Sequence, residues 1–303
     1  MSNPIVNMGK HQLRANLAIL LTVLLWGMSF ISIKVTVAEV PPTTLALIRF
    51  FIASVILLIA LKKLEPETKM HKVDFGRLLL AGGLGITLYF YFENSGVKLT
   101  TAANASLIAA VVPVTAIILD IIIYKTKATR IQVIAMLAAF IGAYLAVTAN
   151  GQIDFRSERF MGNVLMLCAM AAWVAYTLVT KSFRDKYSGL FLTTWQTFCG
   201  TILLLPLSLL EYKEWTAYSL VAWANILYLA IFCSALGYFL YIYALKRLDV
   251  AITTLYLNLI PIVGVVSGHF VLGEKILPIQ MMGGLMIIFA IVFVNVEKLY
   301  RRR

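Results

Sequence analysis

A carboxylate and an amide interrupt a long apolar stretch of this sequence. Glu93 and Asn94 stand in "FENSGVKLTT", after an apolar run that begins at Leu78. One interpretation places Glu93 at a surface near Lys98, since charged side chains close to a helix end reach water cheaply. The other places it in an internal cavity, where it would carry a proton or pair with a substrate ammonium group.

A second charge lies deeper in an apolar run. Arg49 stands inside the run from about 43 to 61. It could hold a substrate carboxylate or extend along the helix to the polar surface, and the two interpretations fit equally well. Asp120, by contrast, lies close to Lys125 and Lys127 near the end of its run, which favours a solvated helix-end charge.

Aromatic residues are the more specific signal. Trp26 and Trp173 occupy matching positions well inside two apolar runs, whereas tryptophan in membrane proteins concentrates at the interfaces. Such rings could stack on an amphipathic or cationic substrate, although aromatic residues in helical bundles also simply pack. Further hydroxyl and amide groups come from Tyr89, Tyr91, Tyr238, Tyr241, Tyr256 and Asn258.

Two prolines form a matched pair inside apolar runs, Pro113 and Pro261. Proline removes one helix hydrogen bond and clashes with the preceding turn, which exposes backbone carbonyl groups there. We predict that both prolines act as hinges. A tolerated packing kink, which is common in membrane helices, is the alternative.

The composition identifies the elements that must position these side chains. Of the 303 residues, 61% are hydrophobic and 13% are charged, and the mean hydropathy is +0.89. Soluble domains carry about 25% charged residues. Apolar runs of about 17 to 25 residues, enough to cross a bilayer as helices, lie near 17–37, 43–61, 77–95, 101–123, 131–148, 160–180, 190–210, 221–244, 251–272 and 279–296. We therefore predict an all-α integral membrane protein with ten transmembrane helices.

The net charge of +12 is explained by topology. If the N-terminus is inside the cell, most of the 26 lysines and arginines fall in the inner segments between the runs, as the positive-inside rule requires. This predicts a multi-pass protein of the cell (inner) membrane with both termini in the cytoplasm. A nucleic-acid partner is excluded, because the basic residues do not form one binding face.

The sequence repeats itself at a spacing of 147 to 148 residues. Matched pairs include Trp26 with Trp173, Lys34 with Lys181, and Pro113 with Pro261. The two lysines are interpreted as anchors at opposite membrane faces. Each unit holds five runs, so the second unit must enter the membrane from the opposite side. Inverted repeats are a recurrent transporter design, with the substrate site near the midplane between the halves; duplication without that function is the alternative.

Three segments carry a resemblance to a known family. They are "WGMSFISIK" from Trp26, "ANASLIAAVVP" ending at Pro113, and "LNLIPIVGVVSGHFVLGEKI" followed by "QMMGGLMIIFAIVFVN". The chain resembles the drug/metabolite transporter superfamily, and within it the EamA family of ten-span exporters. The resemblance implies two inverted five-helix repeats, at 14–148 and 160–298, with alternating access, export of amino acids or other small metabolites, and no cofactor. Glu274 has Thr126 as its counterpart in the first half, so the two repeats do not share a symmetric glutamate pair.

Enzymatic function has little support in the sequence. No catalytic or phosphate-binding motif is present, and the three isolated cysteines fit neither a zinc site nor a disulfide framework.

We predict a secondary transporter with a small-molecule substrate, coupled protons and membrane lipids as its partners; no metal and no particular oligomeric state are implied. The alternatives are a nucleotide-sugar or lipid-carrier transporter, and a membrane protein that binds or processes lipid without transport. The predicted substrate contacts are Trp26, Tyr91, Glu93, Trp173, Tyr238, Tyr241, Tyr256 and Asn258.

Overall fold

The protein is helical throughout the part of the chain that the structure describes. A computed structural model describes residues 4–109, 111, 129–147, 157–183, 186–245, 247–248, 256–257 and 259–301, and none of these residues is in a β-strand. The α-helices are α1 (Pro4–Thr36), α2 (Pro42–Leu64), α3 (Phe75–Gly82), α4 (Tyr89–Leu99), α5 (Ala102–Ala109), α6 (Arg130–Val147), α7 (Glu158–Lys181), α8 (Gly189–Leu209), α9 (Leu220–Leu227), α10 (Gly237–Leu245), α11 (Ile260–Leu272) and α12 (Pro278–Arg301).

Two long helical rods contain a stretch of π-helix. α3 continues without a break through Gly83–Leu88 into α4, and α9 continues through Tyr228–Leu236 into α10. We call these stretches the first and second π segments. A π turn closes its hydrogen bond one residue later than an α turn, and it is frequent at functional sites.

Local sequence signals set several helix ends. The Oγ atoms of Ser157, Ser188 and Ser219 accept a hydrogen bond from the backbone N–H three residues later, at the starts of α7, α8 and α9. These bonds satisfy donors that a helix leaves open at its first turn. Pro42 begins α2, where its missing N–H costs no bond. Gly273 ends α11 in the left-handed conformation, with φ of 65°.

Six helices in the described part of the chain are long and apolar enough to cross a membrane. They cover Gln12–Thr36, Pro42–Leu64, Lys72–Leu99, Glu158–Thr180, Gly189–Leu209 and Leu220–Tyr241, and shorter apolar helices lie at Ile260–Leu272 and Pro278–Ala290. Each of the ten predicted runs overlaps a described helix, so the predicted all-α class is confirmed. Large apolar side chains such as Phe51, Phe270 and Phe293 are exposed on the helices, where lipid tails are suitable neighbours.

The core lies between helices from the two halves of the sequence. α2 packs against α8, α4 against α7, α1 against α10 and α11, and α6 against α12. α3 and α8 approach each other most closely through glycine. A Cβ atom on Gly82 would lie 2.5 Å from the Gln196 carbonyl oxygen and 2.7 Å from the Gly200 nitrogen, so a side chain at Gly82 would force the two helices apart.

Polar side chains link the helices at both ends of the bundle. At one end, which we call the Glu211 end, the Glu211 carboxylate accepts hydrogen bonds of 3.0 and 2.7 Å from the backbone N–H groups of Thr43 and Thr44, at the start of α2. At the opposite end, which we call the Asp74 end, Asp74 forms an ion pair of 2.5 Å with Lys186. These contacts join segments more than a hundred residues apart in the sequence.

Candidate functional site

Glu93 lies inside the bundle rather than at its surface. Its side chain is 4% exposed, and its Oε1 accepts a hydrogen bond of 2.8 Å from the Tyr89 hydroxyl, one turn earlier on α4. Arg49 of α2 is close enough to interact electrostatically with this carboxylate. Of the two interpretations of Glu93, the geometry favours the internal one; its role in binding stays a prediction.

Asn94 makes a different contact from its neighbour. It is fully buried, and its Nδ2 donates a hydrogen bond of 2.9 Å to the backbone oxygen of Pro42. Successive residues on a helix point about 100° apart, which allows the two adjacent polar groups to serve separate purposes. Asn94 therefore joins α4 to the start of α2 and braces the position from which Glu93 projects.

Trp173 on α7 packs beside the tyrosine that binds Glu93. Its ring centroid lies 5.1 Å from that of Tyr89 and 5.2 Å from that of Tyr176. The Tyr176 hydroxyl donates a hydrogen bond of 2.9 Å to Oε1 of Gln196 on α8. The predicted residues Trp173 and Glu93 are thus brought to one cluster through Tyr89.

Trp26 on α1 packs against the second π segment and α10. Its indole N–H donates a hydrogen bond of 2.9 Å to the carbonyl oxygen of Cys233. The ring centroid lies 5.4 Å from that of Tyr238 and 5.6 Å from that of Tyr241. Gly237 leaves room for this arrangement, because a Cβ atom there would come within 2.7 Å of the indole nitrogen. Trp26, Tyr238 and Tyr241, all predicted, therefore form a second aromatic cluster.

The remaining predicted contact residues lie elsewhere. Tyr91 is 38% exposed, and its ring contacts that of Phe92, so the structure does not bring it to Glu93. Tyr256 packs with Tyr241 against the buried apolar residues of α1 and α10. Asn258 lies outside the described residues.

The two predicted hinges are only partly described. Pro261 is buried at the first turn of α11, where a proline removes no hydrogen bond that the helix needs. Pro113 lies outside the described residues. The hinge role of both prolines stays a prediction.

A cavity of about 260 Å³ lies between α2, α8 and α10, toward the Asp74 end. Its lining residues are Leu57, Leu64, Glu65, Leu190, Thr193, Tyr238, Phe239, Tyr243 and Arg247. Tyr238 belongs both to this lining and to the cluster around Trp26. The volume falls just below the range of about 300 to 1,000 Å³ that is usual for small-molecule sites.

Two charged residues have contacts that the sequence did not reveal. Lys34, interpreted as a membrane anchor, donates from Nζ to three backbone carbonyl groups at the end of α4, at 2.9, 2.9 and 2.5 Å. Glu274 accepts hydrogen bonds of 2.8 and 2.9 Å from two backbone N–H groups at the start of α5. Each side chain thus satisfies the open end of a helix far away in the sequence. In the sequence, the only sign of either contact is a charged residue near the end of an apolar run.

Outside the membrane-spanning helices, Glu39 is held at the start of α9. Its carboxylate accepts hydrogen bonds of 3.0 Å from the backbone N–H of Ser219 and 2.8 Å from its hydroxyl. The backbone bond first, and the hydroxyl bond second, lower the pKa of Glu39. Among the described residues, no group of three or more histidine, cysteine, aspartate or glutamate side chains could hold a metal ion.

An apolar helical bundle with a buried carboxylate among aromatic side chains is a design typical of membrane transporters. Comparison with known families agrees with this class. The model of the EamA-like transporter family matches residues 13–148 and 160–296. The chain belongs to the EamA-like transporter family, and it is a transporter rather than an enzyme.

Individual relatives are similar over nearly their full length. A probable terminal-alkyne amino-acid exporter of Streptantibioticus cattleyicolor is 30% identical over 286 residues, which cover 94% of this chain and 95% of the relative. An uncharacterized transporter of Archaeoglobus fulgidus is 29% identical, with 86% of this chain and 90% of the relative covered. One solved structure has the same fold, with a TM-score of 0.65 at 17% identity, over 95% of this chain and 98% of that one.

Proposed function

We propose that the chain is a secondary transporter that exports amino acids or similar small amphipathic metabolites by alternating access. Its family membership supports transport, and its similarity to the probable amino-acid exporter of Streptantibioticus cattleyicolor supports the substrate class. The predicted coupled protons belong to this proposal.

The observation that carries the proposal is the position of Glu93. A carboxylate deep in a membrane bundle is costly, and such residues mark substrate or ion pathways. Glu93 is 4% exposed and lies next to Tyr89, which packs on Trp173 from the other half of the sequence. We propose that Glu93 binds either the ammonium group of the substrate or a proton during transport.

We also propose that ten helices cross the membrane as two inverted five-helix units, at 14–148 and 160–298. The packing of α4 against α7 has a counterpart in the packing of α10 against α1, as a two-fold axis between the units would require. The two π segments lie at equivalent places in the repeat. Ser54 and Thr201, which are repeat partners 147 residues apart, have hydroxyl oxygens 3.1 Å from each other, a distance expected close to such an axis.

The charge distribution supports insertion in the cell (inner) membrane with both termini in the cytoplasm. The Asp74 end would then face the cytoplasm, and the 260 Å³ cavity would lie on the side from which an exporter takes up its substrate. In this proposal Pro113 and Pro261 are hinges. The substrate body contacts Trp26, Tyr91, Trp173, Tyr238, Tyr241 and Tyr256, and Asn258 makes polar contacts with the substrate.

The test is efflux from proteoliposomes that contain the full chain and are loaded with the twenty standard amino acids, with and without a pH gradient. We expect selective loss of a few amino acids, measured by mass spectrometry. In the Glu93→Gln variant the efflux rate should fall about 10-fold or more, as expected when a charge-assisted hydrogen bond is lost. Glu67→Gln is the matched control, because Glu67 is exposed in the segment between α2 and α3.

Two results would contradict the proposal at different levels. Retention of all twenty amino acids by folded protein would remove this substrate class and favour nucleotide sugars, lipid carriers or a protein without transport activity. If Glu93→Gln shows selective efflux with the same rate, substrate range and pH dependence, the proposed transport function stands and the proposed role of Glu93 is refuted.

A further inference from the structure

The sequence left two interpretations of Arg49, and the structure separates them. The side chain is 4% exposed, so it does not extend to the surface. Its guanidinium carbon lies 5.1 Å from the centroid of the Phe50 ring and 4.7 Å from that of Phe90. Arg49 is therefore held in the interior of the bundle, between α2 and α4, where aromatic faces stabilise a cation.

The hydrogen bonds of Arg49 are incomplete. Nε donates a bond of 2.8 Å to Oγ of Ser234 in the second π segment. Nη1 is buried and has no hydrogen-bond partner in the described part of the chain. Guanidinium stays protonated in proteins and carries five N–H donors. A buried charge with open donors is strongly unfavourable unless a partner arrives.

The carboxylate that acts on Arg49 electrostatically already has a different partner. Glu93 interacts with the Arg49 charge through space, while its Oε1 accepts the bond from Tyr89. The Arg49 guanidinium and the Glu93 carboxyl group are thus both buried on neighbouring helices, α2 and α4, and Nη1 of Arg49 still has bonds to make. Their formal charges sum to zero, which matches a zwitterion and disfavours a ligand that carries two or more negative charges, such as a nucleoside diphosphate.

We propose that Arg49 binds the carboxylate group of the transported substrate through its open N–H donors. This inference rests on the proposed function, and it makes the substrate a compound with a free carboxylate and an ammonium group, the second of which Glu93 binds. Guanidinium and carboxylate form two parallel hydrogen bonds, a geometry that lysine does not reproduce. Ser234 is a positioning residue, since its hydroxyl accepts the bond from Nε and so fixes that side of the guanidinium group.

The experiment measures binding to the purified full chain in lipid nanodiscs by thermal stabilisation. The probes are L-leucine and L-phenylalanine, the matching amides L-leucinamide and L-phenylalaninamide, the amines that lack the carboxyl group, and uridine diphosphate. We expect at least one of the two amino acids to bind about 30-fold more tightly than its amide and its amine, and uridine diphosphate not to bind. In Arg49→Gln the ratio between amino acid and amide should fall toward one.

Two further variants keep the test independent of whether Arg49→Gln folds. Arg49→Lys keeps the charge and should give an intermediate ratio, and Ser234→Ala should lower the ratio without abolishing binding. Arg77→Gln, at an exposed arginine of α3, should leave the ratio unchanged.

Several results would overturn the inference. Equal binding of amino acid and amide by the unchanged protein, together with selective amino-acid efflux, would refute the role of Arg49 and leave the proposed function intact. Binding of uridine diphosphate, or no binding of either amino acid, would exclude the zwitterion site. Absence of amino-acid efflux as well would refute the proposed function itself.

Discussion

Replacing Glu211 by glutamine should loosen one end of the bundle. The Glu211 carboxylate accepts bonds of 3.0 Å from the Thr43 N–H, 2.7 Å from the Thr44 N–H and 2.8 Å from the Thr44 hydroxyl. It also lies at the positive end of the α2 dipole, a position that stabilises by about 0.3 to 1 kcal/mol. Each hydrogen bond to a charged group contributes about 1.5 to 3 kcal/mol.

The size of the effect follows from what glutamine retains. It keeps one acceptor oxygen, but it loses the second oxygen and the charge. Because Glu211 is only half-buried, water replaces part of the lost interaction. We therefore expect the free energy of unfolding to fall by about 2 kcal/mol, which is about 30-fold in the unfolding equilibrium.

The assay is equilibrium unfolding of the purified chain in mixed micelles, followed by circular dichroism and tryptophan fluorescence. The indole N–H of Trp215, one of the five tryptophans of the chain, donates a bond of 2.8 Å to the Thr44 hydroxyl, so part of the fluorescence signal comes from this contact. Glu214→Gln is the control, because Glu214 is exposed in the same segment. A loss below about 0.5 kcal/mol for Glu211→Gln, or an equal loss for the control, would refute the reasoning.

Two further predictions concern packing and pH. Gly82→Ala should lower the free energy of unfolding by about 1 to 3 kcal/mol in the same assay, since the added Cβ would meet the backbone of α8. Gly76→Ala is the control and should be neutral or stabilising, because a Cβ there has open space around it. Equal effects of the two substitutions would contradict the packing argument. Because the bonds from Ser219 lower the pKa of Glu39, its stabilisation is complete above the unfolded pKa of about 4.3 and is lost as pH falls through the folded pKa. Between pH 6 and pH 3, the melting temperature should therefore decline less for Glu39→Gln than for the unchanged protein. Identical declines would contradict a stabilising role of the Glu39 carboxylate.

The sequence predicted the elements better than the contacts. Apolar runs of membrane length directly require helices, and the repeat placed Trp26 and Trp173 at equivalent positions. Burial of Arg49 was not predictable, because a long cationic side chain at that depth can equally reach the surface. Only its packing against Phe90 and its bond to Ser234 resolve the choice.

The contacts that the sequence missed share one property. Glu211 caps a helix about 170 residues earlier, and Glu274 caps one at a similar separation. Local capping signals involve residues a few positions apart, so no short pattern marks a cap that comes from another helix. The π segments were missed for a related reason: their apolar residues satisfy an α-helical pattern as well as a π-helical one.

The first π segment lets the two parts of the helical rod that carries Glu93, α3 and α4, be oriented separately. Before it, the rotational setting of α3 is fixed by the close approach of Gly82 to α8. After it, the setting of α4 is fixed by the bond from Asn94 to Pro42. One uninterrupted α-helix would have to satisfy both constraints with a rotation of 100° per residue. The wider turns of the π segment change the rotation between α3 and α4, so the Glu93 side chain can face the interior while Gly82 keeps its contact with α8.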